Sequence, residues 1–277
     1  MNNVLGKSMR FKHTLAAIVL ACLTLAAACA VNPVTGQQEL SFMSEGQEVA
    51  LGAQNFPLYT QKMGGKPADD KDLQGYVNNL GRKLAATSHR PNLPWEFNVV
   101  NHSSVNAMAL PGGKIMVTRG LLNKLNSEDE LAFVLGHEIG HVTARHAASQ
   151  YTNGVLISVA VMGVGAALQG SDYAPLGTAV AGAAGSLLML SYSRDQERQA
   201  DELGYTYMVQ NNYNPKAMLE VFKIFRSLEK EEPGVIGAML RSHPLTSERI
   251  DYTKNMVDRT KPGLLQRPYQ VAGYNQA

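Results

Sequence analysis

The sequence predicts an α+β fold, mostly α-helical, with one small β-sheet. Three observations carry this expectation. Apolar residues recur at helical spacing through several segments, for example Leu73, Tyr76, Val77, Leu80 and Leu84. Two capping-box patterns, Ser44-x-x-Gln47 and Ser127-x-x-Glu130, mark helix starts. Pro111-Gly112-Gly113 separates two strand-like runs and reads as a hairpin turn.

The elements follow in order. Asn32 to Gly36 reads as a turn. A helix is expected from Ser44 toward Tyr59, then a Gly/Pro/Asp-rich loop from Met63 to Asp70, then the helix through Leu73–Leu84. Strands are expected at Trp95–Val100, Val105–Leu110 and Lys114–Thr118. After Ser127 a long helix is expected from Glu128 to Tyr151. Gly154 to Leu190 is rich in Ala, Gly, Val and Leu, with a break at Gln169–Asp172. Each half is short for a membrane span, and the segment reads as a tight helical hairpin buried in the fold. Further helices are expected at Ser191–Asn211, from an Asn214-Pro215 start onward, and near Ser247–Val257, with a loose tail from Lys261.

The 277 residues carry a formal net charge of +2, which argues against nucleic-acid binding. Both cysteines, Cys22 and Cys29, fall near the N-terminus, so a disulfide scaffold, a Cys-ligated metal site and a cysteine nucleophile are excluded from the rest of the chain. Lys7, Arg10 and Lys12 precede an apolar run from Leu15 to Ala28, the pattern of a secretory signal. Ala26-Ala27-Ala28-Cys29 resembles a bacterial lipobox, although Ala26 replaces the usual Leu. Lipidation of Cys29 is one expectation and ordinary cleavage to a soluble periplasmic protein is the other. Ala30 after the cysteine suggests outer-membrane sorting in lipoproteins of this type.

The chemistry centres on His137-Glu138-Ile139-Gly140-His141, an H-E-x-x-H sequence inside the long helix. Residues four apart lie about 40° apart around a helix, so both imidazoles can hold one zinc ion. Glu138 stands beside them and can move protons as general base and then acid. A catalytic zinc needs a third protein ligand, and Glu197 is the best candidate. Asp201, four residues on, could accept the N–H of a ligating imidazole. His146 lies about 140° around a continuous helix from His141, which places it outside the ligand set with a hydrogen-bonded structural role. His89 and His102 read as loop or surface histidines. Gly140 costs about 1 kcal/mol in a helix relative to Ala, and close approach of a strand would explain it.

These residues resemble metallopeptidase family 48, which includes the CAAX prenyl proteases, heat-shock protease X and bacterial periplasmic lipoproteins. The matches are HEIGHVTARH at 137–146, SRDQERQAD at 193–201, NAMALPGGKIMVTRGLL at 106–122, His243-Pro244 with Arg249, and the lipoprotein-like opening CAVNPVTG at 29–36. The resemblance implies a zincin-like metallopeptidase domain with the small sheet beside the metal helix. It implies His137, His141 and Glu197 as zinc ligands, Glu138 as general base and acid, and Asp201 as support behind them. The integral-membrane members carry several long spans, and beyond the leader this sequence shows none.

Zinc peptidases hold extended substrate against a strand edge, and Asn106, Ala107, Met108, Ala109 and Leu110 are the candidates for that edge. His243 is expected either as a fourth zinc ligand in a latent state or as a stabiliser of the oxyanion, with Arg249 as its rival in the second role. The expected organisation is a signal peptide at 1–28, a lipid anchor, linker and first helix at 29–60, the catalytic domain at 61–260, and a loose tail at 261–277. The expected function is a one-zinc endopeptidase of the bacterial envelope, exported and facing the periplasm, acting on unfolded envelope proteins. It meets the membrane through its lipid and touches no nucleic acid. The alternative is an envelope assembly factor or chaperone that binds clients with little proteolysis.

Overall fold

In the computed structural model, residues 29–67, 71–169 and 191–271 are described, with the side chains of 159–169 left aside. A short antiparallel hairpin, β1 (Cys29–Val31) and β2 (Gln38–Leu40), opens the chain. Asn32 shapes its turn: Oδ1 accepts from the N–H groups of Val34 and Thr35. Helix α1 (Glu45–Lys62) starts with a full capping box between Ser44 and Gln47. It is followed by α2 (Lys71–Ala86), whose inward stripe is Leu73, Val77, Leu80 and Leu84.

The sheet has three strands, β3 (Glu96–Val100), β4 (Ala107–Leu110) and β5 (Lys114–Thr118), in the order β3-β5-β4. β4 and β5 form the expected hairpin through Pro111-Gly112-Gly113, while β3 runs parallel to β5. Gly112 has φ +74, and a side chain there would meet the backbone of Glu48 and Val49. Helix α1 therefore packs directly on the hairpin turn. Among the described residues β4 is an edge strand.

A one-turn helix, α3 (Arg119–Leu122), leads to α4 (Glu128–Thr143), the centre of the molecule. From Asp129 to Thr143 every residue is buried, so α4 is a core helix covered on all sides. Ser127 Oγ accepts from Glu130 N–H at 3.2 Å, but the Glu130 carboxylate accepts from Asn126 N–H and not from Ser127 N–H, so only half of the expected capping box forms.

The long helix expected to reach Tyr151 is broken. Arg145 adopts φ +57, the left-handed region, and a new helix, α5 (His146–Gln169), starts beyond it. The second half of the expected apolar hairpin, 170–190, lies outside the described residues. Helix α6 (Arg194–Gln210) follows, with Ser193 and Gln196 forming a capping box.

Helix α7 (Ala217–Glu231) begins two residues later than Asn214-Pro215 suggested, because Pro215 and Lys216 form a turn in which Asn214 Oδ1 accepts from Lys216 N–H. An unanticipated helix, α8 (Pro233–Ser242), ends at His243 and is followed by α9 (Ser247–Asp258). The tail is not loose where it is described. It forms a short helix, α10 (Pro262–Leu265), and Gln270 is tied to the start of α4 by Glu128 N–H donating to its carbonyl and its own N–H donating to Asp129.

Helices α4 and α6 approach closely. Cβ atoms on Gly136 and Gly140 would lie 3.2 Å from Gly204 Cα and 3.0 Å from the Ala200 carbonyl oxygen. The close neighbour of Gly140 is thus a helix and not the expected strand. This contact sets the side chains of α4 against those of α6. No helix among the described residues is long and apolar enough to cross a membrane.

Candidate metal centre

Helix periodicity puts His137 and His141 on one side of α4, one turn apart. The opposing face of α6 brings up Glu197 and, one turn further, Asp201. The end of α8 delivers His243. All five side chains are buried. His137 Nε2 lies 3.0 Å from His141 Nε2 and 3.2 Å from His243 Nδ1. Glu197 Oε1 lies 3.3 Å from His141 Nε2 and 2.9 Å from His243 Nδ1.

Four donor atoms, one each from His137, His141, Glu197 and His243, fall within 4.8 Å of one another. Tetrahedral zinc with ligands at roughly 2.0–2.1 Å places them about 3.3–3.4 Å apart. The observed spacing and the donor set of three imidazoles and one carboxylate both fit zinc.

The hydrogen bonds behind these donors fix their tautomers. His137 Nδ1–H donates to Asp201 Oδ1 at 2.9 Å, which leaves the Nε2 lone pair facing the other donors. His146 Nε2–H donates to Gln199 Oε1 at 2.9 Å. Its Nδ1 is then the acceptor for His141 Nδ1–H at 2.8 Å, and His141 Nε2 is left free to ligate. His146 reaches this position because the helix breaks at Arg145. The angular argument for a continuous helix therefore does not apply to it. His146 supports a ligand directly, and its own pKa is pushed down to about 4 by burial, so it is neutral at pH 7. Burial likewise holds the pKa of His141 well below its usual value, in the form that can bind a metal.

Arg249 Nη1 lies 2.5 Å from Glu197 Oε2, and its Nε and Nη2 donate to both oxygens of Asp201 at 2.5 and 2.8 Å. One guanidinium thus clamps two carboxylates of α6. Burial opposes a charge on both acids. For Glu197 the charges of His243 and Arg249 overrule it, and for Asp201 Arg249 does, so both stay ionised below the usual carboxylate range. Arg249, expected as a rival oxyanion stabiliser, has its donors engaged by Glu197, Asp201 and the Pro244 carbonyl behind the metal donors.

Glu138 is fully buried, and neither carboxylate oxygen has a hydrogen-bond partner. Its nearest ionic neighbour is His243 Nε2 at 3.6 Å from Oε1. Burial raises the Glu138 pKa, with His243 and His137 partly offsetting it. An unpartnered buried carboxylate is costly, and such costs are concentrated at active sites, where a raised pKa makes a better base. Burial also opposes a charge on His243, but the carboxylates of Glu197 and Glu138 outweigh it and raise its pKa.

Leu110, Ala109, Pro111, His141 and Tyr192 line one narrow cleft, which joins the β4 edge to the donor group. Within the candidate edge, Asn106 is anchored by its N–H to Thr118 Oγ1 and its carbonyl to Thr118 N–H, ahead of the strand proper at Ala107–Leu110. Met108, within β4 opposite Met116, is half-buried. Cys29 is exposed at the start of β1. His89 Nδ1 contacts Tyr207 Oη at 2.8 Å, and His102 Nδ1 contacts Ser104 Oγ at 2.7 Å, both away from the donor group.

Sequence reasoning missed Tyr192. Its ring stacks on His141 with centroids 3.8 Å apart and an interplanar angle of 26°. It stands one residue before the capping serine of α6 and carries no motif signal of its own.

The model of peptidase family M48 matches residues 71–257. The chain is 27% identical over 274 residues to the beta-barrel assembly-enhancing protease of Escherichia coli O157:H7, covering 93% of this chain and 55% of that protein. It is 29% identical over 241 residues to the protein of that name from Yersinia pestis, covering 83% and 48%. Against the mitochondrial metalloendopeptidase OMA1 of Arabidopsis thaliana it is 34% identical over 182 residues, covering 65% and 35%. The chain spans about half the length of the beta-barrel assembly-enhancing proteases.

Proposed function

The chain belongs to peptidase family M48, and on that premise we propose that it is a zinc-dependent endopeptidase working on the periplasmic side of the bacterial envelope. His137, His141 and Glu197 hold the ion, with His243 as a fourth donor in a closed state. Bound there, zinc supplies Lewis acidity toward the scissile carbonyl and makes water a better nucleophile. Glu138 takes the proton from the attacking water and passes it to the leaving amine. Asp201 and His146 hold the two ligating imidazoles in the tautomer that leaves Nε2 free. His243 and Arg249 keep Glu197 ionised, and Arg249 fixes it. The edge of β4 takes an extended peptide by main-chain hydrogen bonds, so affinity depends little on sequence.

The observation that carries this reading is the Glu138 carboxylate, fully buried, unpartnered and beside four convergent metal donors. The clients proposed are unfolded envelope proteins, including those bound for the outer membrane. This draws support from the names of the relatives and from the basic, then apolar leader. Anchoring at the outer membrane through lipid on Cys29 is proposed from the lipobox-like Ala26–Cys29. The exposure of Cys29 agrees with it.

The test is zinc analysis and casein hydrolysis by the protein and by Glu138→Gln. Wild-type cleavage that is lost with a chelator, restored by zinc, and reduced about 10²–10⁴-fold in Glu138→Gln at unchanged zinc content supports the proposal. Client binding that persists in Glu138→Gln, with no wild-type cleavage, makes the chain an assembly factor instead.

A further inference from the structure

Tyr192 is held at the centre by contacts that the proton chemistry does not use. One face of its ring lies on His141. The ring of His243 is 5.5 Å away at 39°, and Tyr192 N–H donates to the carbonyl of Ser242, the residue before His243, at 3.1 Å. The ring also lines two cavities. One runs along Ala109 and Leu110 of the β4 edge to His141, and the other lies over Glu197 and Arg249. Tyr192 is thus the wall the two cavities share, on either side of the donor group.

The first cavity is apolar in effect and narrow, about 10 Å³, so a large side chain packs over its mouth and not inside it. Its charged lining residues, Glu48 and Arg145, are paired with each other at 2.5 Å, and Arg90 closes the other oxygen of Glu48 at 2.8 Å. Val142, Ala147 and Ala148 supply the rest of that wall. An extended peptide added to β4 presents alternate side chains to one face. Those directed toward His141 meet a flat aromatic ring and small aliphatic groups.

We propose that Tyr192 sets the cleavage preference, by packing against a large apolar or aromatic side chain next to the scissile bond. The proposal rests on the peptidase reading above. The substrate class is then peptide segments that expose bulky apolar residues, the segments a folded protein buries.

The experiment profiles cleavage of a random peptide mixture by mass spectrometry, using the zinc-loaded protein and its Tyr192→Phe, Tyr192→Leu and Tyr192→Ala variants. Expected is enrichment of Phe, Tyr, Leu or Met at one position flanking the cut, kept in Tyr192→Phe. In Tyr192→Ala that enrichment disappears and KM for a bulky peptide rises about tenfold, the scale of a lost apolar pocket contact, while zinc content holds at one per chain. Tyr192→Leu keeps apolar bulk without the ring face and should lose aromatic before aliphatic preference, which preserves the test if the alanine variant folds poorly. A profile and KM unchanged in both Leu and Ala variants overturn the proposal alone. A wild type that cleaves with no side-chain preference also overturns it. A wild type that cleaves nothing removes the peptidase reading and this one with it.

Discussion

His146 Nδ1 lies 2.8 Å from His141 Nδ1, across a helix break that no glycine or proline announces. With Gln199 accepting from its other nitrogen, His146 fixes which nitrogen of His141 is free to ligate. Replacing His146 by Phe keeps the ring and removes both hydrogen bonds. Zinc affinity should fall by about 10–100-fold, measured by competition with a chelator, and excess zinc should recover most of the lost cleavage. Unchanged affinity would mean that His141 is oriented by packing alone.

Arg249 is the counter-charge for two buried acids, Glu197 and Asp201. Arg249→Ala strips Asp201 of its main counter-charge and leaves Glu197 with the histidines alone. Breaking a buried ion pair by removing one partner costs about 3–5 kcal/mol, so the chemical-denaturation midpoint of the metal-free protein should drop clearly. Arg249→Lys keeps the charge but cannot span both carboxylates, and should fall between wild type and alanine. A midpoint in Arg249→Ala equal to that of wild type would show that the clamp contributes nothing to stability.

The contact of Gly140 with α6 yields a prediction of opposite character. Alanine gains about 1 kcal/mol of intrinsic helix preference over glycine. The added Cβ would sit 3.0 Å from the Ala200 carbonyl oxygen and 3.2 Å from Leu203 Cβ, too close for a backbone to absorb in place. Helix α6 must therefore shift by tenths of an ångström and carry Glu197 with it. Gly140→Ala should alter the melting temperature little and lower zinc affinity and kcat by tenfold or more, because a metal site tolerates such shifts poorly. Full activity in this variant would show that α6 moves without consequence.

Much of this arrangement is local and so readable from sequence. The i, i+4 spacing of His137 with His141, and of Glu197 with Asp201, fixes which side chains share a helix face. Pro111-Gly112-Gly113 announces the hairpin because its geometry needs positive φ, which Gly112 and Gly113 both adopt. What escaped depends on tertiary context. Arg145 takes a left-handed conformation while its guanidinium bonds Glu48 and the Met43 carbonyl, groups about 100 residues earlier in the chain. Helix α8 is short, and it buries only Ile236 and Met239, too few for a clear period. Tyr192 reaches the site from the approach to α6 with no motif to mark it, and Arg249, named in the sequence, meets Glu197 and Asp201 only through the packing of α9 on α6. The Lys261 tail looks polar and loose, yet Asn214 Nδ2 holds the carbonyls of Leu265 and Arg267.

His243 carries two expected roles, latent fourth ligand or oxyanion stabiliser, which kinetics can separate. Its Nδ1 stands among the metal donors, 2.9 Å from Glu197 Oε1, and its Nε2 points toward Glu138. A fourth protein ligand closes the position that a catalytic zinc must leave open. A peptide can then enter only when His243 withdraws, and Tyr192 is tied to the backbone at its side. On this basis His243→Ala should raise kcat/KM severalfold on an unstructured peptide while zinc remains near one per chain, since three ligands still hold it. Were His243 an oxyanion donor, the same variant would lose about 10²–10³ in kcat with no gain at any substrate concentration. Steady-state kinetics with zinc content measured on the same samples distinguishes the two outcomes, and Glu138→Gln combined with His243→Ala should abolish any gain.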